Sequence, residues 1–190
     1  EFFSYIATLS LLLLLLSLAA PLHASGGGDV GLGSPIDCSG SDCFIQRMPD
    51  QQSGTGLGDY RCGSFTSDGY AGTDFRVRRV AELQKRIPVI AALGGVVEGV
   101  RDGMPDGIFT GKRAEFLKGK ECGNGVYLRH EGGWKTQYCH LRKGSVQVAR
   151  GERVVVGQKL GEMGLSGLTN FPHLEFRVQQ GGTRIDPFSG

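Results

Sequence analysis

A mainly β fold, an antiparallel sheet sandwich or barrel built as a single domain, is what this sequence predicts, and three observations carry the prediction. Glycine supplies 32 of the 190 residues, more than double its usual ~7% share and without a G-X-Y period, so tight turns must recur. Between the glycines lie short apolar or alternating runs of strand length. No segment sustains the 3.6-residue apolar period of a core helix. The charge balance, 21 Lys plus Arg against 19 Asp plus Glu for a net +2, excludes a strongly basic nucleic-acid binder. With 39% hydrophobic residues, the chain is neither polytopic in a membrane nor disordered.

The elements follow in order. Ile6 to Ala20 is apolar, contains the block Leu11 to Leu16, and runs into small residues ending at Ala24. Residues 1–24 therefore read as a secretory signal peptide. An uncleaved N-terminal anchor is the alternative, because Phe2 to Leu22 just suffices to span a bilayer. Either way the protein is exported, to the periplasm, the cell envelope or beyond. Residues 25–59 form an irregular Gly/Ser-rich arm with Cys38 to Gln46 as its compact island, and 60–190 form the folded domain.

Within that domain Phe75-Arg76-Val77 alternates as a strand, and Ala81 to Arg86 has room for a helical turn or two. Pro88 to Ala92 and Val96 to Val100 then make a hairpin about Gly94-Gly95. Residues 101–121 read as a long surface insertion. Its Asp102-Gly103-Met104-Pro105-Asp106-Gly107 lacks the ligand spacing of a calcium loop, and its Lys112, Arg113, Lys118 and Lys120 read as a solvated basic face. A second hairpin joins Gly125 to His130 with Trp134 to Leu141. Three further strands follow at Ser145 to Val148, Lys159 to Met163 and His173 to Val178.

Export gives the five cysteines meaning, since disulfides persist outside the cytosol. The favoured pairing is Cys38 with Cys43 and Cys122 with Cys139. Cys62 is then free, unless it displaces one of those partners.

Of the histidines, His23 belongs to the leader and His130, beside the Glu131-Gly132-Gly133 turn, reads as a solvated imidazole. His173 and Glu175 lie two apart on one strand and share a face, while Leu174 and Phe176 point to the core. With His140 ending another strand and Asp74 following a glycine turn, these residues make a polar cluster.

Four stretches, in order, resemble the lysostaphin-type zinc endopeptidases that cut peptidoglycan cross-links, the LytM-like family. They are Asp68-Gly69-Tyr70-Ala71-Gly72-Thr73-Asp74-Phe75, Tyr138-Cys139-His140-Leu141, the pair Gly151-Glu152-Arg153-Val154 with Gly157-Gln158-Lys159-Leu160-Gly161, and Pro172-His173-Leu174-Glu175-Phe176. The similarity covers roughly residues 60 to 188. It implies a zinc ion held by the His and Asp of H-x-G-x-D and by the second His of H-x-H. Two more histidines, from Y-x-H-L and the first position of H-x-H, would orient the attacking water and stabilise the oxyanion.

Asp74 matches a ligand position, and His140 and His173 match the two catalytic positions. Tyr70 and Glu175 stand where the family has ligand histidines. The remaining set, Tyr70, Asp74 and Glu175, has only oxygen donors, whereas zinc sites are built from imidazole, carboxylate and thiolate. A tyrosine titrating near ~10 must lose its proton to bind. Oxygen donors favour harder divalent cations such as Mg²⁺, Ca²⁺ or Mn²⁺. Zinc is therefore the cofactor the resemblance implies, held weakly or not at all, with another divalent cation as the alternative.

Without a metal, Glu175 can pair with the imidazolium of His140 and hold the pocket together. The resulting expectation is a non-catalytic pseudoenzyme that binds peptidoglycan peptide or regulates a cell-wall hydrolase. The alternative is an active metalloendopeptidase that cleaves peptide cross-links with an altered metal site.

Overall fold

A computed structural model describes residues 30–39, 43–109 and 115–189. The apolar segment 1–24, the stretch 25–29, and Lys112 and Arg113 lie outside the described residues.

Ten strands and two short 3-10 turns, Val80–Lys85 and Glu131–Gly133, make up the regular structure of the described residues. The strands are β1 (Cys43–Arg47), β2 (Thr73–Val77), β3 (Pro88–Ile90), β4 (Gly95–Arg101), β5 (Asn124–Arg129), β6 (Trp134–Leu141), β7 (Arg153–Val154), β8 (Lys159–Glu162), β9 (His173–Gln180) and β10 (Thr183–Ile185). An antiparallel sheet runs β1-β2-β9-β6-β5-β4-β7, with β10 also paired to β9, and a second, two-stranded sheet joins β3 and β8. The mainly β, antiparallel expectation holds.

The core forms where the two sheets meet. Alternation on β9 sends Leu174, Phe176 and Val178 inward; β5 contributes Val126 and Leu128, and β3 and β8 contribute Val89 and Leu160. Tyr138 is fully buried among them, and its hydroxyl accepts a hydrogen bond from Ala92 N at 2.9 Å. That bond satisfies a backbone donor at the point where the chain leaves β3.

Several local expectations are corrected. Pro88 to Ala92 does not form a hairpin with Val96 to Val100. β3 pairs instead with β8 through Val89 and Gly161, and Ala91 continues that partnership by donating to Gln158 O and accepting from Gly157 N. β4 is paired by β5 on one side and, at Gly95 and Val96, by β7 on the other.

Ser145 to Val148 is no strand. Gln147 N makes a single rung to Leu160 O, while the Ser145 hydroxyl accepts the Glu162 N–H that a paired strand would have taken. His130 is buried rather than solvated. Its Nδ1 lies 2.8 Å from Gly94 O and its Nε2 2.8 Å from the Thr136 hydroxyl.

The described part of 101–121 is tied down, not loose. Asp106 accepts from Lys143 N and Leu165 N, and Asp102 accepts from Gly144 N and Val146 N. Residues 43–47, which carry no strand in the sequence reading, form β1, the edge strand beside β2.

Disulfides join Cys38 to Cys43 and Cys122 to Cys139, and Cys62 is free and exposed. The favoured pairing is the observed one.

Candidate functional site

The site lies on the outer face of the sheet, where β1, β2, β9 and β6 run side by side. Register places Asp74 of β2 opposite Glu175 of β9, and Glu175 in turn opposite Cys139 of β6. Strict alternation would send the next residue, His140, to the side of Tyr138. His140 instead has φ 65°, in the left-handed region that non-glycine residues rarely occupy. This turn re-aims the imidazole, so that Nε2 comes within 3.2 Å of Glu175 Oε2. The backbone N–H of His140 donates to Cys122 O, and its ring Nδ1 donates to Ser166 O at 2.7 Å. Both ring nitrogens of His140 thus face oxygen atoms, Ser166 O and Glu175 Oε2.

His173 sits beside it, the two rings 4.6 Å apart. His173 Nδ1 donates to Phe171 O at 2.8 Å, and Nε2 lies 3.6 Å from Asp74 Oδ1. Burial lowers the pKa of His173, and the neighbouring imidazole of His140 lowers it further. A neutral ring then carries its hydrogen on Nδ1 and a lone pair on Nε2.

Tyr70 arrives from the loop before β2 and donates its phenol hydrogen to Asp74 Oδ1. Burial, followed by the charges of Asp74 and Glu175, pushes the phenol well above its usual range, so it stays protonated. Asp74 is 3% exposed, and its burial raises its pKa despite the opposing influence of His173, Tyr70 and Arg47. Its second oxygen, Oδ2, lies 3.4 Å from Nε of Arg47, whose guanidinium covers the Tyr70 ring at 4.4 Å.

Glu175 is 5% exposed. Its burial opposes ionisation, but hydrogen bonds from His140 and Arg177 and their charges outweigh it and hold its pKa at about 2. Arg177 supplies Nε and Nη2 to Glu175 Oε1, each at 2.5 Å.

Tyr70, Asp74, His140, His173 and Glu175 therefore line one cavity of about 270 Å³, together with Arg47, Ile108, Phe109, Leu168, Thr169 and Asn170. All five residues singled out from the sequence come together. Two partners do not stand out in the sequence, Arg177 and Arg47. Arg177 was within reach, since it continues the His173, Glu175 face by one more alternate step. Arg47 has no local signal, because β1 joins Asp74 only through long-range pairing.

The donor set does not fit zinc. The phenol of Tyr70 is a hydrogen-bond donor rather than a phenolate. Both oxygens of Asp74 and both of Glu175 already face Tyr70, arginine or His140. Among the described residues, no group of three or more His, Cys, Asp and Glu side chains is arranged to hold an ion.

Comparison with known proteins places this geometry in a family. Over 65 residues the chain is 38% identical to the peptidoglycan DD-endopeptidase ShyC of Vibrio cholerae, covering 34% of this chain and 14% of that protein. Over 64 residues it is 38% identical to the cell division protein DipM of Caulobacter vibrioides, covering 34% and 10%. The chain thus spans only a small part of the curated relatives it matches. Among solved structures, a mutant catalytic domain of the prophage-encoded M23 protein EnpA from Enterococcus faecalis superposes with a TM-score of 0.52. At 18% identity, over 83% of this chain and 92% of that one, the likeness is one of fold. The pattern of peptidase family M23 matches residues 69–187 and takes in Tyr70, Asp74, His140, His173 and Glu175. This chain belongs to peptidase family M23, the lysostaphin and LytM type.

Proposed function

We propose that this is an exported M23 protein of the cell envelope whose site holds peptidoglycan peptide, on its own or for a partner hydrolase, without cleaving it. The observation that carries the reading is the engagement of the carboxylates. Asp74 is held by Tyr70 and Arg47, and Glu175 by Arg177 and His140, so neither offers a free oxygen to a metal. Without a metal there is no acidified water, and a water whose pKa stays near ~15.7 is a poor nucleophile at neutral pH. The fold nevertheless keeps an open, polar cavity with an apolar wall, which suits peptide binding. The likeness to ShyC, a peptidoglycan DD-endopeptidase, supports peptidoglycan as the polymer concerned. The apolar run Ile6 to Ala20 supports export.

A second reading, a peptidase with an altered metal, draws on Asp74, His140 and His173 keeping the family positions with the two imidazole rings in contact. One experiment separates the two. The protein is purified without chelators, its metal content is measured, and it is incubated with labelled peptidoglycan. Retention of label without soluble fragments, and with well under one metal per chain, is expected. One bound ion per chain together with EDTA-sensitive release of fragments would establish the peptidase instead.

A further inference from the structure

Arg47 is used by only part of its guanidinium. Nε faces Asp74 Oδ2, and the plane of the group lies over Tyr70. Its two terminal amino groups have no partner among the described residues, and the side chain, about one-third exposed, lines the cavity. A guanidinium carries five N–H donors in a fixed fork. One edge can serve a buried acid while another remains for a second, bidentate acceptor.

The charges around that open edge are matched. Asp74 is faced by Arg47, and Glu175 by both Arg177 and His140, so an incoming anion does not meet an uncompensated carboxylate. Asn170 adds an amide to the same lining. The opposite wall is apolar and unusually open for its residue types, with Ile108 55% and Leu168 50% exposed. A cavity of about 270 Å³ is small, with room for the end of a chain rather than its middle.

From this arrangement we infer that the pocket is a metal-independent receptor for the C-terminal carboxylate of a peptide, with Arg47 as the residue that determines specificity. The carboxylate lies against the free amino edge of Arg47, and a small aliphatic terminal side chain rests on Ile108 and Leu168. A separate cavity of about 510 Å³, lined by Arg177 and by its cross-strand neighbours Gln137 and Tyr127, lies on the other side of the Glu175–Arg177 pair and offers space for the preceding residues. The inference rests on the peptide-binding reading above and gives that ligand its chemistry: an acid terminus, recognised by charge-assisted hydrogen bonds rather than by a metal.

The test compares Nα-acetyl-Lys-D-Ala-D-Ala with its C-terminal amide, by calorimetric titration of the full chain in EDTA. The free acid is expected to bind at least about tenfold more tightly, the value of one charge-assisted contact pair. Arg47→Gln should reduce that preference to within about threefold, and Arg47→Lys should restore part of it, a point charge replacing a fork. Circular dichroism of each variant checks that the sheet is intact. Equal binding of acid and amide to the native protein would overturn the inference while leaving peptide binding in place. Binding of neither probe would overturn both. Should Arg47→Gln fail to fold, the acid and amide comparison on the native protein still decides.

Discussion

Glu175 and Arg177 fix the charge of the pocket floor, and their pairing has a pH signature. The carboxyl is held at about 2 against an ordinary 4.5. A group whose pKa falls on folding contributes stability that is fully present above its unfolded value and is lost as pH drops through its folded value. For Glu175 the window runs from about pH 4.5 down to about pH 2. Asp74 acts with the opposite sign, since burial raises its pKa and protonation of it favours the fold. Glu175→Gln isolates the first effect. Urea denaturation is expected to show wild type well ahead of Glu175→Gln at pH 6, with the gap closing between pH 4.5 and 2. A gap that stays constant over that range would show that the ion pairs of Glu175 do not support the fold. That Glu175 shares a face with His173 was legible in the sequence because an alternate-residue face is a local property; its contact with His140 depends on the left-handed turn at the end of β6. The contribution of Arg47 was not legible, because nothing in the sequence near Asp74 points to a strand 27 positions upstream.

Strands are more legible in this sequence than their partners are. Alternation identified β2, β5, β6, β8 and β9, since which side chains are apolar is settled within each segment. It could not tell that β3 belongs with β8 rather than with β4, because pairing depends on the chain's path through space and not on local pattern. Gly95, where the sequence reading puts a turn, carries a packing constraint of its own. This residue begins β4 instead of closing a turn, and a Cβ there would meet Arg129 O and His130 Nδ1, both at 2.5 Å. Neither neighbour can yield, since Arg129 is paired in β5 and His130 is bound to both Gly94 and Thr136. Gly95→Ala is therefore expected to destabilise the protein by about 2 kcal/mol or more through overpacking and loss of the His130 contacts, read from the urea midpoint. Gly151→Ala would be strained by its φ of 89° but has no atom within 4 Å of the added methyl, and should cost about 1 kcal/mol. Equal losses in the two variants would contradict the crowding at Gly95.

Over the whole molecule, covalent links work with the sheet to hold the site. Cys122 and Cys139 are 17 residues apart, and the bond fastens the strand that carries His140 to the start of β5. Cys38 and Cys43 are 5 apart and fasten the entry to β1. Loop-closure entropy grows with the enclosed length, so replacing the first pair by alanine should cost about 3 kcal/mol, and replacing the second distinctly less. Denaturation of both double variants, alongside the native protein with and without reductant, measures the difference; the reverse order would contradict this account. The same wiring bears on where the molecule can be shortened. The family pattern starts at residue 69, whereas Arg47 lies on β1, ahead of it. A fragment cut at the family's own boundary would keep Tyr70, Asp74, His140, His173 and Glu175, yet would have a bare edge on β2 and a buried aspartate deprived of its arginine. Such a fragment would carry the whole span its family defines and still lack the cation that answers Asp74.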